Sequence, residues 1–257
     1  MTKLLACSDI HNNIKAVRQL RAREGNDYDA VIVAGDLGSE NTSEIFALFQ
    51  SFECPVLYVY GNWDRRLEHD RNFGERCHHM HLSPARVGGL SIVGESIDGI
   101  DREWEAFRSE IGDVEPADVS AVQTSFRQQQ REKLRAMVEG EGPERTIVVS
   151  HYRITKTQNL LPGVPLFLFG HIHRFEDRTF RGQRFVNVSA LDNKVMVAPR
   201  RLPRTTREDY RLLNDGSYVV VSHEDTGFAI EPKRFDPDFS NWARIEGIIL
   251  SSAPEAE

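Results

Sequence analysis

The fold expected for this chain is decided by one stretch, Val164-Pro165-Leu166-Phe167-Leu168-Phe169-Gly170-His171-Ile172-His173. Its first six residues form a short apolar run that is typical of a buried strand. Residues i and i+2 of extended backbone point the same way, so His171 and His173 can reach one small space. Gly170 allows backbone or ligand to come close. Neutral imidazole is a common metal ligand, but a lone His-x-His pair is more typical of a polar loop.

Other parts of the chain point to the same place. Four earlier apolar runs predict strands, and they cover residues 4–7, 30–34, 55–60 and 145–149. Helical patterns separate the first three, which predicts right-handed βαβ units in an α/β fold. In such sheets, ligands bind just past the carboxyl ends of the strands. Polar side chains follow each run at that edge, namely Asp9 and His11, Asp36, Asn62, and His151.

With the two histidines after residue 169, these positions make a set of seven carboxylate, carboxamide and imidazole groups. This mixed set suits divalent Mn, Fe, Zn, Co or Ni rather than calcium, and it needs no thiolate. Seven ligands are too many for one tetrahedral ion. They are about right for two ions that share a carboxylate and lie ~3.5–4 Å apart. We therefore expect two divalent metal ions, with manganese preferred.

The middle of the chain is expected to carry a helical insertion within a single domain, 1–257. The insertion covers about 96–142, with a regular helix over about 120–138 and a less regular part over 100–116. It would overhang the site or make a homo-oligomer contact, and the sequence leaves both open. The tract 69–81 has four histidines, but its polarity predicts a solvated loop.

The remaining patterns predict β structure. Residues 87–94 predict a hairpin that turns on Gly88-Gly89. Alternating runs at 184–188 and 217–222 predict strands of a second sheet, with Asp215-Gly216 as a hairpin signal. A C-terminal β extension is expected over about 200–250.

Composition limits the class of partner. The chain has 39 acidic and 32 basic residues, a net charge of −7 over 257 residues, which argues against a broad nucleic-acid-binding face. Three cysteines without CxxC spacing predict a reducing compartment. No apolar stretch is long enough for a signal peptide or a membrane span, so a cytoplasmic protein without membrane contact is expected.

The order of the polar motifs resembles a known family. The motifs are Asp9-x-His11, Gly35-Asp36, Gly61-Asn62-x-Asp64, Ser150-His151 and Gly170-His171-x-His173. Together they resemble the calcineurin-like metallophosphoesterase superfamily over residues 1 to about 195. The resemblance implies a four-layer α/β/β/α sandwich with two mixed β-sheets and a dinuclear metal centre at their carboxyl edge. It places Asp9, His11 and His173 on one metal, Asn62, His151 and His171 on the other, and Asp36 between them.

The same resemblance implies an activity. It predicts a metal-dependent phosphoric ester hydrolase, a phosphodiesterase or phosphatase, acting on a small phosphate ester with a phosphodiester slightly favoured. A metal-bridging hydroxide would attack phosphorus in line. The expected catalytic residues are Asp36, Asn62 and His151. Asp64 is expected to orient an imidazole or the Asn62 loop without binding metal.

One position departs from the family pattern. Many members have a histidine after the asparagine, as a candidate general acid, where this chain has Trp63. Indole has no titrating proton, and general acid catalysis is worth about 10²–10⁴-fold. We therefore expect weak turnover of esters with basic alkoxide leaving groups and better turnover of aryl esters. His69, His79 or Tyr152 could replace the acid.

Three residues are candidates for substrate contact. Trp63 could stack on a nucleobase, although packing is favoured. Asn12 could also cap a helix, and Arg153 could also be an ordinary surface arginine. A nuclease or nucleotide hydrolase is the alternative function, and it would need the arginine-rich run 200–207 as a basic channel. A non-catalytic scaffold is less favoured, because all seven ligand positions carry coordinating residue types.

Overall fold

The structure is a computed structural model that describes residues 1–65, 67, 72–112, 115, 118–194, 214–224 and 227–240. The strands of this part, in chain order, are β1 (Thr2–Cys7), β2 (Ala30–Ala34), β3 (Val56–Val59), β4 (Cys77–His79), β5 (Pro84–Val87), β6 (Leu90–Glu95), β7 (Thr146–Ser150), β8 (Leu166–Phe169), β9 (Glu176–Phe180), β10 (Gln183–Asn187), β11 (Ser217–Glu224) and β12 (Gly227–Arg234). The helices are α1 (Ile14–Arg23), α2 (Thr42–Gln50), α3 (Ile97–Ile111), α4 (Val119–Glu141) and α5 (Thr157–Leu160). Across these ranges, no helix is long and apolar enough to cross a bilayer.

The strands form two mixed sheets of six. The first has the order β12-β11-β1-β2-β3-β4, and the second has the order β5-β6-β7-β8-β10-β9. Strands β1 to β4 are parallel, as are β6, β7, β8 and β10, while the other strands pair antiparallel with their neighbours. The parallel strands of each sheet therefore end at a common carboxyl edge.

Three apolar layers show how the sheets and helices stack. Successive residues of a strand face opposite sides, so Val31 packs in a core with α1 and α2, whereas Ile32 packs in a core shared by both sheets. On the far side of the second sheet, Val148 and Phe167 pack against Leu134 of α4. The expected four-layer α/β/β/α sandwich with two mixed β-sheets is confirmed.

Most predicted elements occur where expected, and α1 begins after Asn13, whose side chain accepts a hydrogen bond from the Ala16 amide. The prediction of an irregular segment over 100–116 is wrong, because 97–111 is helical. Its large apolar residues recur at helical spacing, so the signal was present in the sequence. They are Ile97, Ile100, Trp104, Phe107 and Ile111.

Two β predictions are corrected. The tract 69–81 is not wholly a solvated loop, because β4 pairs with β3 in parallel at the edge of the first sheet. Strand β11 joins the first sheet beside β1, not the second. The hairpin that it forms is with β12, and Asp215-Gly216 precedes β11 instead of turning it. Patterns of consecutive residues identify a strand, but the sheet that the strand joins depends on pairing with residues far away in the chain.

Candidate metal centre

The carboxyl edges of the two sheets meet at the positions that the sequence singles out. Asp9 follows β1 and Asp36 follows β2 in the first sheet, while His151 follows β7 in the second. His171 and His173 follow β8, as expected. A hydrogen bond joins the two edges, because the backbone amide of His171 donates to Asp9 Oδ2 at 2.9 Å. Side chains at the carboxyl edge of one sheet thus contact side chains at the carboxyl edge of the other.

Potential metal ligands form two groups that share one carboxylate. One group contains Asp9, His11, Asp36 and His173, and the other contains Asp36, His151 and His171. Within each group, the ligand atoms all lie within 4.8 Å of one another. Asn62 adjoins the second group, because its Oδ1 lies 3.1 Å from His151 Nε2.

Several buried atoms of the centre have no hydrogen-bond partner in the described part of the chain. They are Asp9 Oδ1, His11 Nε2 and Asp36 Oδ2. These atoms face other ligands, with His173 Nε2 3.2 Å from Asp9 Oδ1 and His151 Nε2 3.3 Å from Asp36 Oδ2. Buried polar atoms without partners are rare and costly. Divalent cations would supply the missing partner, so the side chains fit a metal.

Hydrogen bonds fix which imidazole nitrogen faces the centre. His151 Nδ1 lies 3.0 Å from the Ala34 carbonyl oxygen, which can only accept, so this nitrogen carries the proton. His173 Nδ1 bonds Asn214 Oδ1 at 2.8 Å. In each case the other nitrogen, Nε2, faces a carboxylate of the centre. This is the arrangement that a metal-binding histidine needs.

Asp64 holds the two loops after β2 and β3 together. Its buried carboxylate accepts backbone N–H bonds from Asp36 at 2.8 Å, Gly38 at 2.9 Å and Gly61 at 2.7 Å. Burial raises the pKa of Asp64 to about 7, although these donors stabilise the charged form. The Asp64 side chain contacts the backbone of these loops. Among the described residues, it forms no hydrogen bond with an imidazole. These contacts are those expected for a residue that orients the Asn62 loop.

A second supporting carboxylate, Asp192, was missed by the sequence analysis. Its Oδ2 lies 3.7 Å from His11 Nδ1 and accepts from Asn214 Nδ2 at 2.9 Å. Its Oδ1 accepts from Asn13 Nδ2 at 2.6 Å. Asp192 follows β10, so the same strand-end reasoning could have found it. Asn214 had no comparable local signal.

The electrostatics of the centre are those of a preformed cation site. Burial opposes ionisation of Asp36, but contacts with His11 and His151 outweigh it and lower the pKa of this carboxyl. Burial lowers the pKa of His11, but the carboxylates around it raise the value to about 9. Without a cation, His11 therefore holds a proton at neutral pH. A metal ion would have to displace that proton.

Backbone strain is concentrated at the ligands. Left-handed φ angles occur at Asp9 (51°), His11 (50°), Asp36 (57°), His171 (72°) and His173 (58°). Such angles cost non-glycine residues of order 1–3 kcal/mol each and cluster at functional sites. The fold accepts this cost at five of the seven predicted ligands, which aims their side chains at one space.

The glycines of the motifs allow the loops to approach. A Cβ on Gly61 would lie 2.1 Å from Asp36 Oδ1. A Cβ on Gly170 would lie 2.5 Å from Ser8 Oγ and 2.8 Å from Asp9 Oδ2. Gly170 therefore permits a close approach, but the groups that approach are the Ser8 hydroxyl and the Asp9 carboxylate rather than backbone.

The predicted substrate contacts have different surroundings. Trp63 donates its backbone N–H to Asp36 Oδ1 at 2.8 Å, and its ring centroid lies 4.7 Å from that of His11. The side chain is 52% exposed, so it does not pack in the core. Asn12 Oδ1 accepts from the Glu40 amide at 2.7 Å. The guanidinium of Arg153 lies 4.9 Å from the centroid of the Phe185 ring.

The residues that could replace the missing general acid differ in their surroundings. His69 and the arginine-rich run 200–207 lie outside the described residues. His79 Nε2 is held by Ser96 Oγ at 2.9 Å and by Asp98 Oδ1 at 3.1 Å. Tyr152 donates its hydroxyl to Asn62 Oδ1 at 3.1 Å. Of the described candidates, Tyr152 is therefore the one with a hydrogen bond to a predicted ligand.

Comparison with solved structures supports the two-sheet fold. The structure of TT1561 from Thermus thermophilus matches with a TM-score of 0.54 and 16% identity, over 90% of this chain and 98% of that one. A predicted phosphoesterase from Streptococcus pneumoniae matches with a TM-score of 0.45 and 16% identity, over 91% and 89%. Phosphopantetheinyl hydrolase from Mycobacterium tuberculosis matches with 0.45 and 16%, over 74% and 89%. No curated protein sequence gives a significant match.

The two-sheet fold and the Asp/His groups define the class of metal-dependent phosphoesterases. The family model described as the calcineurin-like phosphoesterase superfamily domain matches residues 2–199. The chain belongs to this superfamily, and the resemblance found in the sequence is confirmed.

Proposed function

We propose that this protein binds two divalent metal ions, with manganese preferred, and hydrolyses small phosphate esters, phosphodiesters slightly ahead of monoesters. One observation carries the proposal. The two groups of ligand atoms share Asp36, whose Oδ2 lies 3.5 Å from His11 Nε2 and 3.3 Å from His151 Nε2. A carboxylate between two imidazole sets is suited to hold two cations close together.

The charge balance favours an anionic substrate. Two divalent ions would bring four positive charges, and Asp9 and Asp36 return two negative ones. When bound, such ions supply Lewis acidity and lower the pKa of coordinated water. The remaining steps depend on the residues of this chain.

His151 and Asn62 are the proposed catalytic partners of Asp36. The Ala34 carbonyl fixes the His151 ring so that Nε2 faces the reacting space. Asn62 Oδ1 accepts from the Tyr152 hydroxyl, which directs the amide plane and leaves Nδ2 as a donor for a phosphoryl oxygen. A preorganised donor of this kind stabilises charge that develops in the transition state.

Trp63 determines the expected leaving groups. Its indole ring lies beside His11 and cannot protonate an alkoxide. Esters whose leaving group departs as a stable anion, such as aryl esters, are therefore the favoured substrates. Alkyl esters would be turned over more slowly, by about 10²–10⁴-fold relative to an enzyme with a general acid at this position.

The proposal is tested with metal analysis and a substrate panel. Purified protein loaded with Mn²⁺ is assayed for bound metal by mass spectrometry, with two equivalents expected. The panel contains bis-p-nitrophenyl phosphate, p-nitrophenyl phosphate, a cyclic nucleotide and short DNA. Asp36→Asn serves as the site variant. Equal activity of the two proteins, or less than one metal equivalent, would overturn the proposal, and the second result would favour a scaffold.

A further inference from the structure

Exposed apolar side chains gather at the candidate metal centre. Among the described residues, large apolar side chains that are exposed include Trp63 (52%), Tyr152 (46%) and Ile172 (36%). Each is a chain neighbour of a predicted ligand, although the three come from loops after β3, β7 and β8. We call these three residues the apolar rim. Phe180, another exposed aromatic residue, ends β9 and pairs with Gln183 at the opposite edge of the second sheet.

The two rings of the apolar rim lie beside different groups of potential metal ligands. The Trp63 ring centroid is 4.7 Å from that of His11, at 54° between planes. The Tyr152 ring centroid is 4.4 Å from that of His171, in an edge-on contact at 78°. His11 belongs to one group of ligands and His171 to the other. The reacting space therefore has an exposed aromatic ring next to each group.

Hydrogen bonds fix the backbone of both residues, and the Tyr152 hydroxyl also donates to Asn62 Oδ1. The Trp63 amide donates to Asp36 Oδ1 at 2.8 Å, and the Tyr152 carbonyl accepts from Ser150 Oγ at 2.7 Å. Half-exposed Trp and Tyr side chains that are held in position around a polar cavity are typical of a ligand-binding surface. A solvated metal site has no need for such residues, so they point to the organic part of the ligand.

We propose that the apolar rim binds the organic groups of the substrate and selects phosphate esters that carry a flat aromatic group. This inference rests on the proposed function and specifies its substrate class. Two rings fit a diester, because a diester carries two organic groups and one exposed ring lies beside each group of ligands. Aromatic groups gain from offset or edge-on ring contacts that a saturated ring of the same size does not make.

The test compares two diesters with the same leaving group. Both are p-nitrophenyl phosphodiesters, and the retained group is benzyl in one and cyclohexylmethyl in the other. For the Mn²⁺-loaded protein, we expect kcat/KM to be about tenfold higher for the benzyl diester. The ratio should fall towards one in Trp63→Ala or Tyr152→Ala and persist in Tyr152→Phe. Phe180→Ala is the matched control and should leave the ratio unchanged.

A binding measurement separates this inference from the proposed function. Calorimetry compares benzylphosphonate with cyclohexylmethylphosphonate on the Mn²⁺-loaded wild-type protein, with about tenfold tighter binding expected for the benzyl compound. Hydrolysis of both diesters with equal kcat/KM would overturn the proposed role of the apolar rim and leave the proposed function intact. Absence of metal-dependent hydrolysis would overturn the proposed function, and equal binding of the two phosphonates would then overturn the rim as well.

Discussion

Buried carboxylates at two places in this protein have opposite hydrogen-bond environments. In the metal centre, Asp9 Oδ1 and Asp36 Oδ2 are buried and have no hydrogen-bond partner in the described part of the chain. Glu24, 8% exposed at the end of α1, is fully engaged. It accepts hydrogen bonds from the hydroxyls of Tyr28 and Tyr218 and forms an ion pair with Lys233 at 3.1 Å.

The difference is between a carboxylate whose oxygens are occupied by protein donors and one that we propose binds metal. Both Glu24 and Asp36 have lowered pKa values, since their partners outweigh the burial that would raise them. The partners of Glu24 use its oxygens and tie α1 to β11 and β12. The partners of Asp36 are imidazoles of the two ligand groups, and its Oδ2 is directed at the space between them. The oxygens of Glu24 are therefore occupied by donors, whereas Asp36 Oδ2 has no hydrogen-bond partner in the described part of the chain.

The largest expected effect comes from Asp36→Asn. This change removes the shared carboxylate, so kcat/KM for bis-p-nitrophenyl phosphate should fall by about 10³-fold with Mn²⁺. Circular dichroism of the metal-free variant should show the fold of the wild type, so that the loss of activity is not a loss of folded protein. An activity that falls only in proportion to the fraction of unfolded protein would show that Asp36 is structural, as Glu24 is.

Gly61→Ala tests whether the ligand loops need their close approach. The added Cβ would lie 2.1 Å from Asp36 Oδ1, so that carboxylate must move. We expect a loss of about 1–3 kcal/mol in the free energy of unfolding and an activity loss of about 10²-fold, because ångström displacements of reacting groups have effects of this size. Gly89→Ala is the control, since a Cβ there meets nothing within 4 Å. Similar losses in both variants would contradict the interpretation.

Asp192→Asn tests whether a residue that does not itself bind metal supports metal binding through His11. The substitution keeps the shape of the side chain but removes the charge 3.7 Å from His11 Nδ1. Loss of such partners typically lowers metal affinity by about 10–100-fold, and titration with Mn²⁺ monitored by calorimetry would measure it. Asp27→Asn, at a surface ion pair with Lys3, should leave the affinity unchanged. An unchanged affinity in Asp192→Asn would remove this residue from the centre.

Glu24→Gln should have the reverse profile to Asp36→Asn. Hydrogen bonds to charged groups contribute about 1.5–3 kcal/mol, so the free energy of unfolding should fall by about 2 kcal/mol in urea denaturation. Metal content and kcat/KM should equal those of the wild type. Loss of activity in the folded variant would show that the two places are coupled.

The smallest effect is a pH dependence of the same variant. The pKa of Glu24 is lowered in the folded protein, because the contacts of Tyr218, Tyr28 and Lys233 outweigh burial. Its stabilisation is therefore complete above the unfolded-state value of 4.5 and is lost as pH falls through the folded-state value. The difference in unfolding free energy between wild type and Glu24→Gln should shrink at acid pH. A difference that grows on acidification would reverse the sign and refute this role.

The predictable part of the site follows from local patterns. Apolar runs end where Asp9, Asp36 and His151 begin, and parallel strands bring their carboxyl ends to one edge. The helix α3 was missed although its apolar residues recur at helical spacing. Asn214 could not be found in this way, because it reaches His173 across 41 residues and follows no recognised strand end.

By itself, the sequence determined most strands of the core, the order of the motifs and the family, since strand periodicity and strand-end polarity are properties of consecutive residues. Only the tertiary structure decided which buried oxygens lack partners in the described ranges, that Asp192 lies beside His11, and that Trp63 is exposed beside the centre. These properties depend on contacts between residues far apart in the chain. Glu24 and Asp36 are both acidic residues near an apolar run, and long-range packing alone gives Glu24 a full set of donors and leaves Asp36 Oδ2 without a hydrogen-bond partner in those ranges.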